Sequence, residues 1–295
     1  MNILLQLLLI SILAFISGAL LAWPVYEVLH LFLDVRFHKI VSNTITLCAF
    51  VFVYLLLSYH NALDRETTGF ETRTTGIHPA LLRGFAAGIL IMTVLEVLLY
   101  GLGIHKMEPE LQPGAGFFLL LTGKAVISGI MVGLVEESLY RGALLGILLR
   151  KTGILTAILV SSTVYSAVHF IGFPAVGENT DVHILTGLAL LPDAFVRFSD
   201  PGILDAFLAL TLFGALLALV RIRNGNIIQC IGLHAGVVIA IRFIKDLTDY
   251  AHGNRYAYLV STYDHLLGYL ALFWLVMLTA GYFWIHKQKI CNKST

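Results

Sequence analysis

The sequence predicts an all-α fold, a polytopic bundle of about eight transmembrane helices. Three observations lead there. Of the 295 residues 58% are hydrophobic and only 13% charged, whereas soluble domains carry roughly 25% charged residues. Mean hydropathy is +0.86. The apolar residues also gather into runs near the ~20 residues that a helix needs to cross a bilayer.

The runs lie at residues 3–28, 40–59, 79–102, 116–149, 153–173, 203–221, 226–245 and 265–286. The first lacks a basic n-region and a small-residue cleavage site, and it exceeds a signal h-region in length. It therefore reads as a retained span. The fourth is too long for one straight crossing. It must tilt, break near Glu136 and Glu137, or continue as a second helix. Between the spans only the loops 174–202 and 246–264 have any length. Neither suffices for a soluble domain, and no internal repeat stands out, so residues 1–295 read as a single transmembrane domain. In the first of these loops the apolar stretch Leu185–Leu191 lies between Asp181 and the polar pair Asp193 and Arg197. A surface segment, a shield over a site and a plain connector all fit that pattern.

Charge restricts partners and orientation. A net charge of +1 offers no basic face to nucleic acid and none to an acidic partner. The bilayer is the expected surroundings. With the N-terminus inside, the inner segments hold Arg65, Arg73, Arg150, Lys151, Arg221, Arg223, Lys287, Lys289 and Lys293. The outer loops hold Arg36, Lys39, Lys106, Arg197, Arg242, Lys245 and Arg255, so the count is nine against seven. By the positive-inside rule both termini are cytoplasmic. The acidic residues Glu108, Glu110, Glu178, Asp181, Asp193 and Asp200 fall outside and add little to that rule. A compact chain with short tails points to a bacterial plasma membrane. Cys48, Cys230 and Cys291 form no Cys-x-x-Cys pair and read as packing residues.

Small residues mark where helices approach. Gly-x-x-x-Gly pairs recur at Gly84/Gly88, Gly129/Gly133, Gly142/Gly146 and Gly232/Gly236. They favour close packing within the chain over dimerisation. Two pairs flank the glutamates and a third brackets His234.

The polar residues inside the spans carry the chemistry. A charge at that depth costs on the order of 2.5–3.5 kcal/mol by insertion scales. Glu137 and Arg141 are four apart on one helical face, acid first, which favours a neutralised pair. Glu136 is rotated by about 100° from its neighbour and is left to face the bundle, where a desolvated carboxylate suits general acid or base work. His169 ends the fifth span and His234 lies in the seventh. At 1.5 Å per residue, all three side chains lie about 15–24 Å from the inner face, a spread that helix tilt accommodates. One carboxylate and two imidazoles suit two roles. They bind a zinc-like divalent ion that acidifies a water, or Glu136 and one histidine activate water while the other histidine holds the oxyanion. Glu96 and Lys124 are candidates for a structural pair, unless Lys124 snorkels outward. Arg242 and Lys245 close the seventh span as interface anchors.

Glu136-Glu137-x-x-x-Arg141, Tyr165-x-x-x-His169, and His234 following Phe213-Gly214 and Gly225 resemble the type II CAAX prenyl endopeptidase and bacteriocin-processing family of intramembrane proteases. The resemblance spans about 115–245, the catalytic core within the chain. It implies hydrolysis of a peptide bond in a membrane-embedded or lipidated substrate. Glu136 would be the water-activating base, with His169 and His234 assisting and Glu137, Arg141 and Tyr165 in support. The resemblance admits both a zinc-dependent and a metal-free, glutamate-dependent mechanism.

Two positions depart from the family pattern. Tyr165 stands where Phe is usual, and Val238 stands where Asn or Asp is usual, one turn after His234. Loss of an oxyanion donor there would cost about 2.7–4 kcal/mol, unless Tyr165 or Asn226 substitutes. Two other classes therefore compete with the endopeptidase: a weak or inactive member acting as a membrane scaffold or immunity-type protein, and a small transporter using the Glu–His set as a proton relay. The lack of repeat symmetry counts against the transporter.

Overall fold

The computed structural model describes residues 2–70, 76–108, 114–177 and 180–291. Arg73, Glu110, Glu178 and Lys293 lie outside the described residues, as do the side chains of Lys289 and Cys291. The chain is helical almost throughout and divides into two compact units, Met1–Leu63 with Ser166–Ile203, and Asp64–Tyr165 with Leu204–Thr295.

In the first unit, α1 (Ile3–Leu29) starts at Asn2, whose side chain accepts the Leu4 N–H. It pairs with α2 (Phe37–Tyr59) in an antiparallel hairpin. Small residues let the two approach: a side chain at Gly18 would meet the Ile45 backbone. Thr44 Oγ1 donates to the Gly18 carbonyl at 2.8 Å. Ala22, Phe37, Ile40, Val41 and Ile45 form the apolar centre. The apolar stretch of the 174–202 loop packs in this unit. Gly187 sits on the Ala19 carbonyl, Trp23 Nε1 donates to Val182 O at 3.1 Å, and Phe195 lies against Phe15.

The second unit begins with a single turn, α3 (Arg65–Thr68), followed by α4 (Ile77–Gly101) and the strand β1 (His105–Met107). Next come α5 (Ala115–Glu137), a π-helical turn (Ser138–Leu144) and α6 (Leu145–Lys151). The fourth predicted span is thus one continuous helix whose winding changes directly after the glutamate pair. α7 (Ile154–His169) runs from this unit into the first, between Tyr165 and Ser166. The first unit's short helices α8 (Thr186–Ala189) and α9 (Leu191–Ala194) follow. The second unit resumes with α10 (Leu204–Asn224), α11 (Ile228–Leu247), β2 (Thr248–Tyr250) and α12 (Tyr269–Cys291). β1 and β2 form a two-stranded antiparallel ribbon, His105 opposite Tyr250.

All eight predicted runs coincide with helices. Seven are long and apolar enough to cross a membrane, while α7 is an apolar helix of 16 residues, about 24 Å long. This is an integral, multi-pass membrane protein.

The recurrent glycines explain how the second unit packs. α11 lies between α4 and α5. A Cβ at Gly84 or Gly88 would strike the carbonyls of Gln229 and Leu233, and one at Gly232 or Gly236 those of Leu81 and Phe85. Gly129 and Gly133 face the Ala235 and Ile231 carbonyls, each 2.9 Å from an added Cβ. The fourth pair differs. Gly142 and Gly146 receive the carbonyls of Thr68 and Thr67 in α3 rather than a long helix. Arg150 and Arg221 tie that turn down, Arg150 through Asp64 at 2.6 Å and Arg221 through the Glu66 carbonyl at 2.8 Å.

Glu96 pairs with a residue that the sequence reading did not assign to it. Its Oε2 is 2.8 Å from His105 Nδ1, and His105 Nε2 donates to the His265 carbonyl at 2.9 Å. Lys124 is exposed, in keeping with snorkelling. Arg242 meets Asp246 at 3.4 Å.

Candidate active site

The π turn shapes the site. Glu136 and Glu137 are the last residues of α5, and Arg141 stands in the middle of the turn. Inside the turn the ladder widens to i→i+5, as in the Leu145 N–H bond to Tyr140 O; single π turns of this kind cluster at functional sites. Arg141 Nη1 still reaches Glu137 Oε1 at 3.4 Å. Its Nη2 donates to the Gly214 carbonyl at 3.2 Å. Both partners of this pair are almost fully buried, at 1% and 0% exposure.

His234 is brought to the glutamates by α11, pressed against α5 through Gly133. Its Nδ1 lies 2.8 Å from Glu137 Oε1. A carboxylate only accepts, so Nδ1 carries the proton and donates. The ring is then oriented with Nε2 toward Glu136, 3.8 Å from Oε2. Glu137 is therefore a bridge between Arg141 and His234. Glu136, 28% exposed, is the more open of the two acids.

Aromatic rings fix the imidazole laterally. Tyr165 and Phe213 meet it edge-on, with centroids at 5.9 and 5.6 Å. The Arg141 guanidinium lies over the Tyr165 ring at 4.3 Å, a cation–π contact that a desolvated site strengthens. The close approach of α10 to α7 makes this possible, because a Cβ at Gly214 would stand 3.1 Å from Ser162 Cα and 3.2 Å from the Tyr165 ring.

Of the sequence-predicted residues, the structure brings Glu136, Glu137, Arg141, Tyr165 and His234 together. His169 closes α7 and is counted with the first unit. Asn226 is engaged elsewhere: its Oδ1 accepts the Ile228 N–H at the start of α11. Val238, one turn beyond His234, is half-buried and brings no polar group. The bond from His234 to Glu137 was not foreseen, because i,i+4 spacing had already assigned Glu137 to Arg141. Phe213 and Gly214 are a quieter signal, a dipeptide whose ring and carbonyl both serve the site.

Among the described residues no three His, Cys, Asp or Glu side chains gather as a metal site, while the Nδ1 bond to Glu137 leaves His234 Nε2 available to accept a proton or to ligate. The arrangement suits a general base beside an oriented imidazole. The chain matches no curated protein and no solved structure. Residues 118–240, which contain every element of this site, match the family Type II CAAX prenyl endopeptidase Rce1-like, so the resemblance read from the three motifs holds over that segment.

Proposed function

We propose that the protein is an intramembrane endopeptidase that hydrolyses a peptide bond of a membrane-embedded or lipidated, CAAX-like substrate, with Glu136 as the base. The observation that carries this reading is the 3.8 Å approach of Glu136 Oε2 to His234 Nε2. A water that bridges the two at ~2.8 Å each needs the Glu136 side chain to shift slightly, since Oε2 is itself buried. Glu136 takes the water proton as the oxygen attacks the scissile carbonyl. It then returns that proton to the departing amide nitrogen. His234 holds the water through Nε2 while Glu137 keeps the ring in the required tautomer. His169, which the resemblance places among the assisting residues, is assigned here to the oxyanion, the alternative being a metal ligand. Cytoplasmic placement of both termini remains part of the proposal, supported by the Lys/Arg distribution.

Val238 favours a second reading, a weak or inactive member acting as a membrane scaffold or immunity-type protein. One experiment separates the two. Wild type, Glu136→Gln, His169→Ala and His234→Ala are purified in detergent and incubated with membrane-embedded and prenylated peptides. The endopeptidase reading expects wild-type cleavage that all three variants lose. Cleavage by Glu136→Gln at the wild-type rate would falsify the assigned base, and an inert wild type would support the scaffold.

A further inference from the structure

Outside the Glu136 cluster, the second unit holds a cavity of about 620 Å³. It lies where α4 begins, α10 ends, α11 begins and the last turns of α12 pass. Arg83, Arg223, Asn224, Gln229, Tyr282 and His286 supply its polar wall, and its described lining includes no Asp or Glu.

The wall is organised around Arg223. Its Nη1 donates to Asn224 Oδ1 at 2.7 Å, and Asn224 Nδ2 donates to Gln229 Oε1 at 2.7 Å. The chain of bonds holds one edge of the guanidinium still. Arg223 Nε and the Tyr282 hydroxyl are buried behind that edge, where the guanidinium and the phenol interact with each other. The Tyr282 contact and the Asn224 bond hold the guanidinium in one orientation at the cavity wall. The Tyr282 ring stands against His286, centroids 4.6 Å apart. Arg83 is exposed on the same wall. A cavity with two guanidiniums and no carboxylate in its described lining fits an anion, and planar guanidinium forks match phosphate oxygens best.

We propose that this cavity binds a phosphate-bearing anion at the level of the lipid headgroups. The helix ends around it put it at the bilayer boundary rather than in the hydrocarbon. Two sources share that chemistry: the headgroup of an anionic phospholipid, and a soluble phosphate. The site is separate from the peptidase reading, since none of Glu136, Glu137, Arg141 or His234 lines it.

The test uses the full chain in detergent and follows ligand retention by native mass spectrometry and the thermal unfolding midpoint. The probes are dioctanoyl phosphatidylglycerol, glycerol 3-phosphate, inorganic phosphate and phosphate-free dioctanoylglycerol. The phosphate-bearing lipid is expected to bind and to raise the midpoint, dioctanoylglycerol to do neither. Arg83→Gln and Arg223→Gln are each expected to weaken binding about tenfold, while Arg242→Gln at the far end of α11 leaves it unchanged. Binding of glycerol 3-phosphate and inorganic phosphate as tight as that of the lipid supports a soluble ligand; binding by the lipid alone supports a headgroup. The proposal fails if no phosphate-bearing probe outbinds dioctanoylglycerol, or if the arginine variants bind like wild type. Arg83 is exposed, so its variant decides the matter even if Arg223→Gln does not fold.

Discussion

Glu137 holds His234 by its Nδ1, 2.8 Å from the carboxylate, and thereby decides what His234 Nε2 can face. The acid that looks purely structural by helical spacing is the one that orients the imidazole. The adjacent acid, Glu136, faces the other ring nitrogen at 3.8 Å.

Glu137 should therefore behave as a positioning residue. Glu137→Gln keeps the shape but removes the charge that fixes the Nδ1 proton. In the endopeptidase reading kcat falls on the order of 10²–10⁴-fold with little change in KM. A peptide-cleavage assay with a pH profile checks this, because a role in stability alone would leave kcat per folded molecule unchanged.

Arg141 should matter for stability as much as for activity. Arg141→Met strands a Glu137 that is 0% exposed, and breaking a buried pair costs about 3–5 kcal/mol. Glu137→Gln combined with Arg141→Met should recover part of that loss. Unfolding midpoints of the two single variants and the double variant, measured in one detergent, test the coupling.

Val238→Asn should raise turnover if a missing oxyanion donor limits the wild type. The gain expected is on the order of 10²-fold, with no change in expression or thermal midpoint. Single-turnover cleavage rates would show it. An unchanged rate would mean that the wild type lacks nothing at this position.

The glycine seams predict a sharp contrast. Gly232→Leu must push α4 away, because even a Cβ there meets the Leu81 carbonyl, whereas Gly123 has open space around it. Overpacking costs about 1–3 kcal/mol. Gly232→Leu should lower the yield of monodisperse protein and the unfolding midpoint, and Gly123→Ala should change neither.

His105 adds a pH dependence outside the spans. Burial alone would lower its pKa, but bonds to Glu96 and to the His265 carbonyl outweigh that and raise it above the usual 6.5. A raised folded-state pKa contributes stability that is complete below about 6.5 and fades as pH rises through the raised value. Asp264, whose carboxyl is pushed up by burial, acts with the same sign, but its contribution begins to fade already above about pH 3.8. Thermal midpoints of wild type should fall from pH 5.5 to pH 8, and His105→Gln should flatten the decline.

Hydrophobic run length alone placed all eight helices, because lipid leaves a spanning chain few alternatives to helix. The Gly-x-x-x-Gly pairs rightly announced close approaches within the chain. They could not announce that the Gly142/Gly146 pair receives the α3 turn, since small residues say where space is needed but not what fills it. The i,i+4 pairing of Glu137 with Arg141 survived, although the intervening backbone is π rather than α. Periodicity has no signature for that extra residue. The Glu96–His105 contact escaped because His105 lies past the end of the helix, where helical spacing has no force.

That extra residue has a consequence of its own. The turn over Ser138–Leu144 makes the site's geometry depend on a residue count as well as on residue identities. Deleting Leu139 would let the backbone close into ordinary α-helix, and the helices on either side would keep close to their present register because the π turn absorbs one residue. Arg141 would become the third residue after Glu137 and remain its neighbour on the helix surface, while the carbonyls that the widened turn leaves splayed would return to the regular ladder. A chain shortened in this way keeps every side chain of the site and loses only the widened turn, so it separates what the backbone contributes from what the side chains contribute.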